Sequence, residues 1–194
     1  MIPEIGSFFL CIGLGISILQ SIFYINILFS KDKKLEENTL IFFKNFTIKL
    51  ANSNFLIIFC IIICLFYSLL TNDFSVLYVT NNSNSYLPWY YKISAFWSAH
   101  EGSFLFFLFA IIVCNQHLVL KRSNSIEFLQ IKVLTISIFG IIIYCFYLYI
   151  LIVSNPFIRI TSQQVNGADL NPLLQDIGLI MHPPILYLSY GSLA

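Results

Sequence analysis

The sequence predicts an all-α, polytopic helical membrane protein with about four complete transmembrane helices and the start of a fifth. Three observations predict it. Hydrophobic residues make up 58% of the chain against 10% charged, with a mean hydropathy of +0.84, too apolar for the surface of a soluble domain of 194 residues. The apolar runs are continuous rather than alternating, and helices are the form that satisfies its own backbone over such runs in lipid. Lysine and arginine gather in alternate connections, as they do when a chain crosses a bilayer back and forth. A formal net charge of +1 gives no basic surplus for nucleic acid. The whole of 1–194 reads as a single membrane domain.

A spanning helix needs about 20 mostly apolar residues. Stretches 5–29, 52–71, 101–120 and 131–153 qualify, and a fifth starts near 177. The first connection holds Lys31, Lys33, Lys34, Lys44 and Lys49, and the third holds Lys121, Arg122 and Lys132. The second and fourth hold Lys92 and Arg159 beside Asp73, Glu101, Asp169 and Asp176. The positive-inside rule then turns the first and third connections toward the matrix or cytoplasm. The N-terminus and the connections 72–100 and 154–182 face outward, which places His100 and His182 at the outer face. No spanning run carries a mid-membrane Lys, Arg, Asp or Glu, which argues against a proton pump or an ion-coupled transporter.

Cys11, Cys60, Cys64, Cys114 and Cys145 each lie in an apolar run without a C-x-x-C pair, and read as small packing residues. "MIPEIGSFFL" shows neither a basic n-region nor an Arg/Ser-rich transit pattern, so no cleavable targeting segment is expected. Twenty Phe, abundant Ile and Asn, and an excess of Lys over Arg fit AT-rich codons and suggest an organelle genome.

The second connection packs Tyr86, Trp89, Tyr90, Tyr91, Phe96 and Trp97 together. Two readings stand: an aromatic belt at headgroup depth, favoured by residue type, or a platform for a flat apolar ligand such as a porphyrin. His100-Glu101-Gly102-Ser103 then opens the third span. Glu101 suits the helix N-terminus, Ser103 or His100 could cap it, and Gly102 permits close approach of a neighbour. A capped, tightly packed helix start ranks ahead of direct chemistry here. His117 reads as a polar interfacial residue with no further role.

"LNPLLQDIGLI" reads as a short surface helix with Asn171 as N-cap and Pro172 at its first position. His182-Pro183-Pro184 follows. Proline suits a first helical turn and drives the preceding residue to extended geometry. His182 is therefore expected outside the fifth helix, on a stiff mount, with the prolines opening that helix. A neutral imidazole held at one angle suits a metal, and haem iron above all. A lone histidine beside Pro-Pro is more often a capping or hydrogen-bonding residue than a ligand.

Taken together, "LPWYYKISAFWSAHEGSFLFF", "LNPLLQDIGLIMHPPILYLSYG" and the helix order resemble the N-terminal part of the CcmF-type haem-handling family of cytochrome c maturation system I. The resemblance covers essentially the whole chain. It implies a component of the cytochrome c haem lyase of an energy-transducing membrane, working with a CcmH-type subunit, the haem chaperone CcmE and apocytochrome c. It also implies a transiently held b-type haem as cofactor, with His182 as candidate axial ligand to its iron. Trp89, Trp97, His100, Glu101, Pro183 and Pro184 become supporting residues, with no catalytic residue assigned. The family's W-G-x-W-W-x-W-D segment is absent here, so a further segment carrying it is expected as a partner. A mitochondrial inner membrane, N-terminus on the intermembrane-space side, fits the codon bias, with a bacterial inner membrane as the alternative. Two other functions remain: a structural subunit of a respiratory assembly, and a small-molecule transporter, disfavoured by the missing intramembrane charges.

Overall fold

The computed structural model describes residues 1–29, 37–122, 125–161 and 164–193. Lys31, Lys33 and Lys34 of the predicted first connection lie outside the described residues. Helices α1 (Ile2–Phe29), α2 (Glu37–Leu70), α5 (His100–Leu120) and α6 (Ile126–Ile152) are long and apolar enough to cross a membrane. Two short helices, α3 (Leu77–Asn82) and α4 (Trp89–Ser94), lie between α2 and α5, and α7 (Ile177–Leu193) follows α6. No β-strand occurs among the described residues, only an isolated bridge between Val76 and Arg159. The predicted class and span count stand. Helix α2 starts well before the predicted span, so Lys44 and Lys49 sit on its first turns rather than in a loop.

Helix α1 packs between α2 and α6, and α5 lies against α2, α6 and α7. Close approach explains the tightest of these contacts. A methyl group on Gly140 of α6 would stand 3.0 Å from the Ser21 amide nitrogen of α1, closer than ordinary van der Waals contact, so glycine eases the approach of the two backbones. Leu10, Ile58, Ile61, Leu65, Leu105, Leu108 and Ile143 are fully buried in the centre. A polar seam crosses this core. Gln20 Nε2 donates to the Ile136 carbonyl at 2.8 Å, and Asn54 Nδ2 donates to Gln20 Oε1 at 2.9 Å. These amides tie three helices together where lipid offers no competing partner. Asn115 is also fully buried, with neither amide atom hydrogen-bonded among the described residues.

The two long connections at one end are stitched into one lobe. Helix α2 ends with the Asn72 N–H on the Leu69 carbonyl and the Asp73 N–H on the Ser68 carbonyl. Asn72 takes the left-handed conformation, φ 55°, that such a C-terminal motif needs. The chain then meets the fourth connection: Leu77 donates to Ile158 O (2.8 Å) and Ile160 to Ser75 O (3.0 Å). Further along, Ala168 donates to Thr80 O (2.7 Å), and Ser85 to Asn166 Oδ1 (3.0 Å). Arg159 closes the lobe onto α1 by a fork to Glu4 at 2.8 and 3.1 Å, and also reaches Asp73 and Ser75. The Glu4 hydrogen bonds raise the Arg159 pKa above its ordinary value.

Candidate functional site

The site is assembled at this end from the start of α5, the start of α7 and the lobe. Helix α5 begins at His100, with Glu101 in its first turn, where the helix dipole favours an anion. The capping expectation is corrected: Ala99 is the N-cap and no side chain caps it, because Ser103 Oγ instead donates to the Trp97 carbonyl at 3.0 Å. Gly102 is buried against the carbonyl oxygen of Phe96 and the hydroxyl of Tyr78. That hydroxyl donates toward Ala95 O (2.9 Å) and Phe96 O (2.8 Å), and its burial raises the phenol pKa. The close approach expected at Gly102 is thus with a turn rather than with a long helix.

The two tryptophans separate. Trp89 is 67% exposed beside exposed Tyr86 and Tyr90. Trp97 is half-buried and meets Phe96 and Phe106 edge-on, at ring-centroid distances of 6.4 and 5.8 Å. They do not form one platform. Trp97 packs the lobe onto α5, and Trp89 stands on its surface, available to a belt or to a ligand. Tyr91 ties the aromatic segment to the fourth connection by donating to the Gln175 carbonyl at 2.8 Å.

His100 is exposed, and its Nδ1 lies 3.5 Å from Glu101 Oε2, too long for a firm hydrogen bond. It lines an open cleft of about 320 Å³ with Ser103, Phe104, Phe107 and Tyr187. Glu101 Oε2 and Trp97 Nε1 are both buried without a hydrogen-bond partner among the described residues.

The placement of His182 differs from the sequence expectation. Asn171 does cap a turn, accepting from the Leu173 N–H at 3.0 Å with Pro172 first, but that turn is a single 3-10 turn, Pro172–Gln175. Asp176 then caps α7: its Oδ1 accepts from Gly178 N (2.8 Å) and its carbonyl from Ile180 N (2.9 Å). With the cap fixed there, the helix starts at Ile177, and His182, Pro183 and Pro184 lie in its second turn. The prediction that His182 lies outside the helix is therefore corrected. Two prolines at that depth deny hydrogen bonds to the carbonyls of Leu179 and Ile180, a cost a membrane helix can meet through neighbouring groups or water.

Helices α5 and α7 run parallel. Tyr187 packs on Phe106 and Phe107 at 5.9 and 6.2 Å, and Gly191 meets Ala110 one turn further on. The same register brings His182 level with Glu101 and within one residue's rise of His100 along the helix axes. Half-buried Ile180, Pro183, Pro184 and Tyr187 make the face of α7 toward α5. His182 is exposed with Met181, Ile185 and Ser189 on the opposite side. The two imidazoles thus share a level but not a cleft. No cluster of three or more His, Cys, Asp or Glu with metal-site geometry occurs among the described residues.

A bundle of four helices long and apolar enough to span, capped by a stitched lobe, defines a multi-pass membrane protein. The chain belongs to the family described as Cytochrome C assembly protein, whose model matches residues 97–194, and within it is of the CcmF type. It is 35% identical over 198 residues to the cytochrome c-type biogenesis protein CcmF of Escherichia coli, covering 98% of this chain and 28% of that protein. The corresponding protein of Haemophilus influenzae is 38% identical over 198 residues, with the same coverage. CcmF of Pseudomonas fluorescens is 48% identical over 129 residues, 66% of this chain and 19% of that protein. A solved structure titled Cytochrome c Heme Lyase CcmF superposes with a TM-score of 0.77 at 18% identity, across 98% of this chain and 28% of that one. The chain spans 19% to 28% of the length of these relatives.

Proposed function

We propose that the chain acts in cytochrome c maturation as part of a haem lyase, holding haem at the outer face for thioether attachment to apocytochrome c. One observation carries the reading: the imidazole of His182 stands uncovered on the face of α7 that the rest of the described chain does not occupy. An imidazole with apolar Met181 and Ile185 beside it and no described acid bonded to it suits an axial iron ligand. The group held would be a transient b-type haem, which supplies the vinyl carbons that react with the cysteine thiols.

In this reading Pro183 and Pro184 stiffen the turn that carries His182 and press it against α5. Trp97 and Glu101 fix the start of α5 level with it, and exposed Trp89 and His100 offer an aromatic and a polar surface to whatever docks on the lobe. The second wall of the haem site falls to a further CcmF segment carrying the tryptophan-rich motif. A CcmH-type subunit, CcmE and apocytochrome c are the proposed partners. The Phe-, Ile-, Asn- and Lys-rich composition supports a mitochondrial inner membrane, and the positive-inside rule an N-terminus on its intermembrane-space side, while the relatives named are bacterial, with the bacterial inner membrane as the equivalent compartment.

The test is His182→Ala in the assembled membrane complex. The expected result is a severalfold loss of haem retained through purification, together with a fall in mature cytochrome c. Full haem content with normal maturation would refute the assignment. Co-purification with an oxidoreductase and no maturation partners would point instead to a structural subunit.

A further inference from the structure

At the opposite, basic end of the bundle, two clefts flank the end of α5 and share Lys121, Arg122 and Lys132. One, of about 350 Å³, is walled by Leu118, Phe128 and Ile131. The other, of about 560 Å³, adds Lys44 and Ser125. Lys132 acts as an anchor. Its ammonium donates to the carbonyls of Val119 (2.7 Å) and Lys121 (2.6 Å), pinning the end of α5 to α6. This pinning sets Lys121 and Arg122 at the mouth of both clefts, where their side chains are exposed and make no hydrogen bond or ion pair among the described residues. Glu127, in the first turn of α6, lines neither cleft.

The wall is as telling as the charge. Phe128 and Ile131 are 66% and 58% exposed immediately beside these cations. Cations matched to phosphate, next to an apolar trough, suit a molecule that carries both an anionic phosphodiester and a hydrocarbon chain. Free inorganic phosphate would use only the charged half. By the positive-inside rule this end faces the cytoplasm or matrix, where juxtamembrane basic pockets meet anionic lipid.

We propose that these clefts form a binding site for one anionic phospholipid. Its phosphate lies among Lys44, Lys121 and Arg122, and an acyl chain runs along Leu118, Phe128 and Ile131. The site is independent of the haem reading.

The experiment is native mass spectrometry of the delipidated membrane complex, titrated with diphosphatidylglycerol, phosphatidylglycerol or phosphatidylcholine, with inorganic phosphate as competitor. The anionic lipids should bind and phosphatidylcholine should not. Lys121→Gln with Arg122→Gln should weaken binding by roughly thirtyfold, about fivefold per charge. Phe128→Ser should weaken it without any charge change, and Lys49→Gln, outside both clefts, should leave it intact. Arg122→Gln alone, at an exposed position beyond the end of α5, carries the test should the double variant fail to fold. Equal affinity for phosphatidylcholine, binding unaffected by the charge variants, or full displacement by inorganic phosphate would overturn the proposal.

Discussion

Gly102→Ala sets two physical effects against each other at the start of α5. Helix propensity alone favours alanine by about 1 kcal/mol, because glycine gains more freedom on unfolding. Packing opposes it. The new methyl group would overlap the Phe96 carbonyl oxygen and the Tyr78 hydroxyl and stand 2.8 Å from the Phe96 carbonyl carbon. Backbone atoms cannot rotate away as a flexible side chain can, so α5 or the Ala95–Trp97 turn must shift. Overpacking of this kind costs about 1–3 kcal/mol. Loosening the single proton that the Tyr78 hydroxyl shares between the Ala95 and Phe96 carbonyls adds roughly 1 kcal/mol. The expected net is a destabilisation of about 1–3 kcal/mol, after the propensity gain is subtracted. Gly15→Ala is the matched control: a methyl there meets nothing within 4 Å, so only propensity acts, and stability should hold or rise. Thermal unfolding in detergent, followed by Trp fluorescence, reads both variants against the parent. A Gly102→Ala protein as stable as its parent would show that the lobe does not press on α5, and the site geometry built on that contact would fall with it.

The polar seam and the buried lysine of the lobe give further tests. Gln20→Leu, close in volume, removes both interhelical bonds and strands the Asn54 amide, so a loss of about 1–3 kcal/mol is expected in detergent unfolding, and no change would show the seam to be idle. Lys92 is buried with its ammonium donating to Asn72 Oδ1 at 2.7 Å, and burial lowers its pKa. Between the lowered folded pKa and the ordinary lysine value the unfolded chain binds more protons, so the parent gains stability as pH rises through that alkaline window. Lys92→Met lacks this gain; a stability difference that stays constant across the window would refute the depressed pKa.

Much of the bundle is legible because lipid imposes a simple rule on composition. Span number and order follow from the apolar runs, and Glu101 and Asn171-Pro172 sit at the helix and turn starts their chemistry suggests. The start of the fifth helix near 177 is legible, but the place of His182 within it is misread because Pro183-Pro184 is a strong local signal, while the Asp176 cap that overrides it is one ordinary acid several residues earlier. The stitching of the two outer connections is not legible at all. Its bonds join residues some eighty positions apart and leave no periodic trace. The seam escapes for a similar reason: a single Gln20 in an apolar run has no pattern that names Asn54 as its partner. Sequence reasoning also puts Trp89 and Trp97 in one group, since neighbouring aromatics look alike until a fold turns one inward.

The hydrogen bonds that join Ser75, Leu77, Thr80 and Ser85 to Ile160, Ile158, Ala168 and Asn166 constrain the order of events during synthesis. The earlier segment reaches its side of the bilayer two spans before its partner exists, so α3 must wait with open donors and acceptors while α5 and α6 are threaded. Closure of the lobe is then a late step that reports the correct insertion of every span before it.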